Sequence, residues 1–285
     1  MYTFRTRYSD LTDSQVNELF REETWSSLDP SRRLDALQEL EVRTALACGN
    51  RPCEVRTEDM NGYLFGGYAD DEIVLNRHLV EEGGFVTDFG NGEVVFDRVD
   101  GLNAQMMDTI HHENYHAYQD QVIHGEIRHS DAAEAELWAA NWPSEQYIDC
   151  NDPSGCYRIQ SLERTAFAHG EACTKEAFAE IEAKYGQDHG YRDYLEDIQR
   201  YSYDDALDDA IDISGDEHIR DTLDGQMLEA YHASRQEHLD GDADTYSRGI
   251  ESQTAGEEDT NANTDGDTDS LSSTYADDDG MDLCM

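Results

Sequence analysis

Residues 112–116 read His112-Glu113-Asn114-Tyr115-His116, an H-E-x-x-H run. The spacing acquires meaning only on a helix, where positions i and i+4 lie one above the other on one face. Two imidazoles placed so can bind one metal ion, and the Glu, about 100° round, can reach a water on it. That is the zinc-hydrolase signature, two His ligands and a Glu general base. The surroundings predict a helix with one apolar face. No Gly or Pro falls between Ala104 and Val122, and Met106, Ile110, Ala117 and Val122 recur near a 3.6 period. Gly101 and Asn103 before the run and Gly125 after it are helix punctuation.

Catalytic zinc usually takes three protein ligands and one water, so a third donor must come from elsewhere. Two carboxylates compete. Glu136 follows His116 by 20 residues and Glu163 follows it by 47. Spacing alone favours Glu136.

Further segments carry a family resemblance. His112 to Gln119 reads H-E-x-x-H-A-Y-Q. Trp138 with Asn141 and then Tyr147-Ile148 follow, and Tyr157 to Ala168 reads Y-x-x-Q-x-x-E-x-x-A-F-A. Over about residues 30–185 the chain resembles a gluzincin-type metallopeptidase domain of a bacterial, phage and archaeal group. The resemblance implies an α+β, zincin-like fold, with a small mixed sheet, an active-site helix and further C-terminal helices. It implies Zn²⁺ as cofactor, a peptide or protein as substrate, and Glu163 as third ligand, from a second helix. The chain departs from the pattern at Leu162, where the family often has Pro, and at Thr165-Ala166, where it often has Asp-Ala.

On this reading His112, His116 and Glu163 hold the metal with one position open. Glu113 takes a proton from the water and passes it to the leaving amine. Tyr115, Tyr118, Tyr157, Arg158 and His169 are candidate donors to the oxyanion, Tyr118 and Tyr157 being equally readable as packing residues. Asp108, one turn before His112, could orient its free ring nitrogen. His111 is read as a supporting residue, His124 and His129 as surface residues. Two other classes compete with the peptidase: a zinc-folded scaffold without catalysis, and an acidic DNA mimic. A scaffold has no need of Glu113, and a mimic needs neither His.

The formal charge of −45 comes from 65 acidic residues against 20 Lys and Arg. Residues 240–285 hold 14 acids and one Arg, net −13, which leaves −32 on the first 239 residues. Acidity thus pervades the chain. Only Lys175 and Lys184 stand beside 18 Arg. Such a surface repels itself at low salt and is screened in concentrated salt. The pattern resembles a halophilic, haloarchaeal cytoplasmic protein. With no basic patch to neutralise phosphates, direct nucleic-acid binding is not expected. No apolar run of membrane-spanning length occurs, and the first residues lack an apolar leader core. The pairs Cys48/Cys53 and Cys150/Cys156 are too widely spaced for a zinc knuckle, and free thiols are expected.

The segments divide as an N-terminal helical extension (1–29), the zincin-like domain (30–186), a helical C-terminal extension (187–239) and a disordered acidic tail (240–285). Thr12-Asp13-Ser14 offers a helix start, Pro30 opens a helix that Gly49-Asn50 closes, and residues 72–76 read as a strand after an Asp70-Asp71 turn. Residues 85–97 read as a hairpin turning at Asn91-Gly92. Residues 63–76 resemble the strand segment that precedes the metal helix in that family, and the resemblance implies a sheet edge that takes extended substrate as an added strand. Helices are expected over 131–141 and 158–184, the latter bent near Gly170. Tyr194, Leu195, Ile198, Tyr201, Leu207 and Ile211 mark further helix beyond.

Overall fold

The computed structural model describes residues 4–60, 62–90, 92–200 and 202–254, with residues 237–254 described by backbone alone. The architecture is α+β, with two small sheets among long helices. Thr12 caps the first helix in a reciprocal box with Gln15. That helix is short: α1 (Asp13–Asn17) gives way to a 3₁₀ turn (Glu18–Phe20) and α2 (Glu22–Ser27). Asp29 caps α3 (Pro30–Cys48), with Pro at its start, and Gly49 ends it in the left-handed conformation at φ 83°.

The first sheet has the order β1-β3-β2. β1 (Glu54–Glu58) runs parallel to β3 (Glu72–Asn76), and β2 (Gly66–Ala69) runs antiparallel to it on the edge. Asp70 and Asp71 both have positive φ, 51° and 64°, and close the β2–β3 hairpin, the geometry that suits the right-handed twist of paired strands. After α4 (Arg77–Glu81), β4 (Gly84–Asp88) and β5 (Val94–Arg98) form a separate hairpin. Of its expected turn pair, Asn91 lies outside the described residues.

α5 (Leu102–Ile123) carries the H-E-x-x-H run through the middle of the molecule. It is not the one-faced amphipathic helix that its periodicity predicts. Sixteen of its 22 residues are buried, among them His111, His112, Glu113, Asn114 and His116. Helices and sheet enclose it, so its polar residues must find partners inside. α6 (Ala132–Asn141) starts at the Asp131 cap, and α7 (Ser161–Tyr185) follows a 3₁₀ turn (Tyr157–Ile159). α7 is continuous through Gly170 and is not broken there. A Cβ at Gly170 would lie 2.6 Å from Asp108 Oδ1 and 3.4 Å from the His112 Cβ. This glycine marks where α5 and α7 press together.

The C-terminal segment forms α8 (His189–Arg200), α9 (Tyr203–Ser214) and α10 (Ile219–Thr254). The boundaries expected at 29 and 187 do not divide the packing. Val16, Phe20 and Trp25 before, and Tyr191 and Tyr194 after, share one core with Leu37, Ile73 and Met106. Asp188 ties three segments by accepting from the Glu22 N–H, the Tyr191 N–H and Asn103 Nδ2. The boundary expected at 240 falls inside α10, a stretch without proline to stop the helix. Residues 255–285, the rest of the expected tail, lie outside the described residues, as does Tyr201. α9 and α10 cover a smaller cluster around Cys156 and Ile159, and Arg164 clasps Asp224 with two hydrogen bonds. No described helix is long and apolar enough to cross a membrane.

Candidate metal centre

On α5, His112 and His116 point their Nε2 atoms at one spot, 2.9 Å apart. From α7, Glu163 arrives with Oε2 at 3.4 Å from His112 Nε2 and Oε1 at 3.3 Å from His116 Nε2. Among the described residues this is the one group of three metal-donor side chains whose donor atoms all lie within 4.8 Å of one another. Glu136, the competing carboxylate, is exposed on α6 and faces His232 at 3.8 Å. All of His112, Glu113, His116 and Glu163 are buried.

The sequence positions these groups through a local network. Asn141, at the end of α6, accepts from the Leu162 N–H and the Ser161 hydroxyl and so caps the first turn of α7 from outside. Its Nδ2 donates to Gln160 Oε1, and Gln160 in turn exchanges two hydrogen bonds with the Ile148 backbone. That fixes the Tyr147-Ile148 segment, and Tyr147 donates its hydroxyl to Glu163 Oε1 at 2.8 Å. Gln119 donates to the Leu162 carbonyl and Thr165 Oγ1, which leaves its Oε1 to accept from His116 Nδ1 at 2.7 Å. The Nδ1 proton is thereby assigned, and Nε2 is the atom His116 turns to the centre. Trp138 Nε1 also donates to Thr165. The Trp, Asn, Tyr-Ile and Gln positions of the quoted motifs are therefore one scaffold around Glu163.

The electrostatics favour a cation. Burial would raise the Glu163 carboxyl, but the two imidazoles outweigh it and hold the group far below the usual carboxylate range. Burial also opposes a charge on His116, and Glu163 reverses this, so the net shift is upward. His112, where burial dominates, falls to about 4. Meanwhile Glu163 Oε2, His112 Nδ1 and both oxygens of Glu113 are buried without a hydrogen-bond partner of good geometry among the described residues. Two imidazole nitrogens and a carboxylate oxygen converging on one point, with orphaned charge around them, fit a divalent ion.

Burial pushes Glu113 up to about 8, with opposing help from His116 and from the Tyr68 backbone N–H. That amide belongs to the edge strand. Asn76 N donates to the Phe65 carbonyl, so by the alternation of antiparallel pairs Gly67 and Ala69 bond to β3, while the Gly66 and Tyr68 backbones face outward. β2 thus turns backbone groups that are not bonded to β3 toward Glu113, the Tyr68 N–H among them, and the Tyr68 hydroxyl anchors the strand to Asp120 at 2.6 Å.

Comparison of the chain with protein-family models, with curated proteins and with solved structures gives no match. The site is therefore read from its own chemistry.

The remaining expected residues divide. Tyr157 comes close: its buried hydroxyl lies beside that of Tyr147 and feels the charges of Glu163 and Glu113. Asp108 does not orient His112: His112 Nδ1 is left without a hydrogen-bond partner, and the Asp108 carboxyl lies instead by the Tyr194 hydroxyl. Burial, with the charge of Glu171, raises Asp108 to about 8. Tyr115, Tyr118 and His169 stand apart from the donors, Tyr115 stacking on His169 and Tyr118 bonding His129. His129 is not a free surface residue; it is half-buried on Trp138 and bonded to Glu134. His124 is exposed and paired with Asp120. His111 is buried, its Nδ1 on the Thr44 hydroxyl. No disulfide joins the described cysteines.

Two residues that sequence reasoning did not connect close the approach. The Phe167 ring packs edge-on to His112 at 4.5 Å, and the Arg158 guanidinium lies over Phe167 at 3.7 Å. Both line a cleft of about 850 Å³, with Tyr157, Asp108, Phe65 and Phe85.

Proposed function

We propose that the chain is a zinc-dependent peptidase with a zincin-like catalytic core. The observation that carries this reading is Glu113, a carboxylate buried beside three converging donors, with the Tyr68 backbone N–H near it and no side-chain hydrogen-bond partner among the described residues. A buried carboxylate costs stability unless something uses it, and a metal scaffold would have no use for it. The zincin-like assignment is supported by the mixed sheet whose edge strand β2 lies along the metal helix with outward backbone groups. Zinc is supported by the donor set of two imidazoles and one carboxylate.

In the proposed mechanism His112, His116 and Glu163 would hold the ion, with Tyr147 fixing Glu163 and Gln119 fixing His116. A divalent ion bound there supplies Lewis acidity and brings the pKa of a water towards about 7. Glu113 is the base that would take a proton from a water there and return it to the departing amine. The Tyr157 hydroxyl is the donor best placed for the developing oxyanion. An extended peptide pairs with the outer edge of β2, and its entry from the cleft requires Phe167 to turn off His112.

The complete burial of the donors favours one competing reading, a zinc that only staples α5 to α7. Glu113→Gln separates the two. The variant is expected to bind as much zinc as the wild type and to hydrolyse casein or peptides about 10²–10⁴-fold more slowly, the usual share of a general base. Metal analysis and turnover, both in concentrated salt, provide the check. Retained turnover removes Glu113 from the mechanism, and zinc-loaded wild type without turnover leaves the staple.

A further inference from the structure

Six residues along α7 from Glu163, about 240° round the helix, His169 meets two thiols. Its Nε2 lies 3.5 Å from Cys173 Sγ and 3.8 Å from Cys48 Sγ. We propose that Cys48, His169 and Cys173 form a second metal site, for a thiophilic cation such as Zn²⁺, separate from the His112–His116–Glu163 centre.

The distances suit an ion. With metal–sulfur and metal–nitrogen bonds of about 2.3 and 2.0 Å, a tetrahedral site has a sulfur-to-nitrogen edge of roughly 3.6 Å, and both observed separations are near it. His169 and Cys173 are an i, i+4 pair on one helix face. Cys48 closes the set from the last turn of α3, which Gly49 ends at once. Tyr115 lies nearly parallel on the His169 ring, centroids 4.5 Å apart, and holds it in place. All three donors are half-buried, so a cation can reach them yet leave much of its water behind.

Only the first cluster has every donor atom within 4.8 Å among the described residues. The two sulfurs therefore stand farther apart than that until an ion draws them together. That movement falls to the Cys48 and Cys173 side chains, each of which turns its sulfur about one rotatable bond. Two thiolates and an imidazole select zinc or copper(I) over the oxygen-seeking magnesium and calcium. Burial raises both thiols, Cys173 to about 11, so the site is neutral before loading and cation binding releases the two thiol protons. The loaded site would clip the end of α3 to α7, across α5.

The test uses the full chain, reduced, in concentrated salt, with Co²⁺ as a spectroscopic stand-in for Zn²⁺. A cobalt–thiolate charge-transfer band in the near ultraviolet is expected, since the first centre contains no sulfur. Cys48→Ser and Cys173→Ser should each lose the band and bind one Zn²⁺ fewer, while Glu113→Gln keeps it. The band and peptide turnover thus report on the two centres independently. A second measurement needs no variant. Zn²⁺ at ten times its Kd should slow alkylation of Cys48 and Cys173 by about tenfold, read by peptide mass. Saturating Co²⁺ without a band, a band that survives in both serine variants, or unchanged alkylation overturns the proposal.

Discussion

Tyr147 reaches Glu163 from a loop held by Gln160, and its hydroxyl donates to that carboxylate beside the two imidazoles. Tyr147→Phe removes it while keeping the ring. Supporting bonds of this kind are worth about 10–100-fold in metal affinity, so the zinc Kd should weaken by that factor in competition with a chelator. An unchanged Kd would show that Tyr147 only packs. Glu41 poses a different problem. It is buried, accepting from the Cys53 N–H and Asn114 Nδ2, and burial raises it from 4.5 to about 8 although both bonds lower it. Between those values the folded chain holds a proton that the unfolded chain has released. Its contribution is therefore complete below about pH 4.5 and is lost as pH rises through 8, at about 1.4 kcal/mol per pH unit. Glu41→Gln should remove this slope, so its stability relative to wild type should improve between about pH 5 and pH 8 in denaturant titrations. A constant difference would place the titration elsewhere. At this scale the sequence was legible where chemistry is encoded locally. The i, i+4 spacing identified His112, Glu113 and His116, whereas Glu163 was reachable only through resemblance, because spacing favoured Glu136. Tyr147 and Gln119 stood in the quoted motifs without a role, since hydrogen-bond partners far apart in sequence leave no periodic trace. The Arg158–Phe167–His112 stack left none either.

Helix ends were legible for the same local reason. Thr12, Asp29 and Asp131 cap where their side chains can reach the next turn, and Gly49 and Gly186 stop helices by adopting positive φ. What a helix packs against is not local. Gly170 read as a bend because glycine weakens helices, yet α7 continues through it, and the missing Cβ is what lets α5 approach. Gly170→Ala therefore sets helix propensity against sterics. Propensity alone predicts a gain of up to about 1 kcal/mol. The contact with Asp108, 2.6 Å from the added carbon, predicts a loss of roughly 1–3 kcal/mol by overpacking. Asp108 is itself buried and held by the same crossing, so the loss should win, and urea unfolding will read its sign. The central helix misled in the same way. The polar residues of α5 implied a solvent face, but Asn114 bonds Glu41, His111 bonds Thr44 and Gln119 bonds α7. Burial was available to them because their partners come from two other helices, α3 and α7.

Over the whole molecule the question is how an acidic chain stays folded. Sixty-five acids face 20 Lys and Arg, so pairing can neutralise under a third of them. Pairs such as Arg164–Asp224 and Arg51 with Asp71 and Glu126 use much of the basic supply. Few acids among the described residues are buried, and the mutual repulsion of the rest opposes compaction and depends on ionic strength. The screening length shrinks from about 10 Å at 0.1 M salt to about 3 Å at 1 M, below the spacing of most surface charges. Stability should therefore rise over that range and level off, each kcal/mol regained lifting Tm by roughly 2–4 °C for a chain of this size. Concentrated salt also strengthens apolar burial, and that effect must be separated from screening. Salting-out depends on the anion, sulfate far exceeding chloride, and does not saturate. Screening depends on ionic strength and does. Melting curves in sodium chloride and sodium sulfate, matched in ionic strength, should nearly superimpose and flatten towards molar salt. A steep, unsaturated rise in sulfate alone would assign the salt requirement to the core, and a Tm indifferent to salt would mean that the acidic surface carries no strain to relieve.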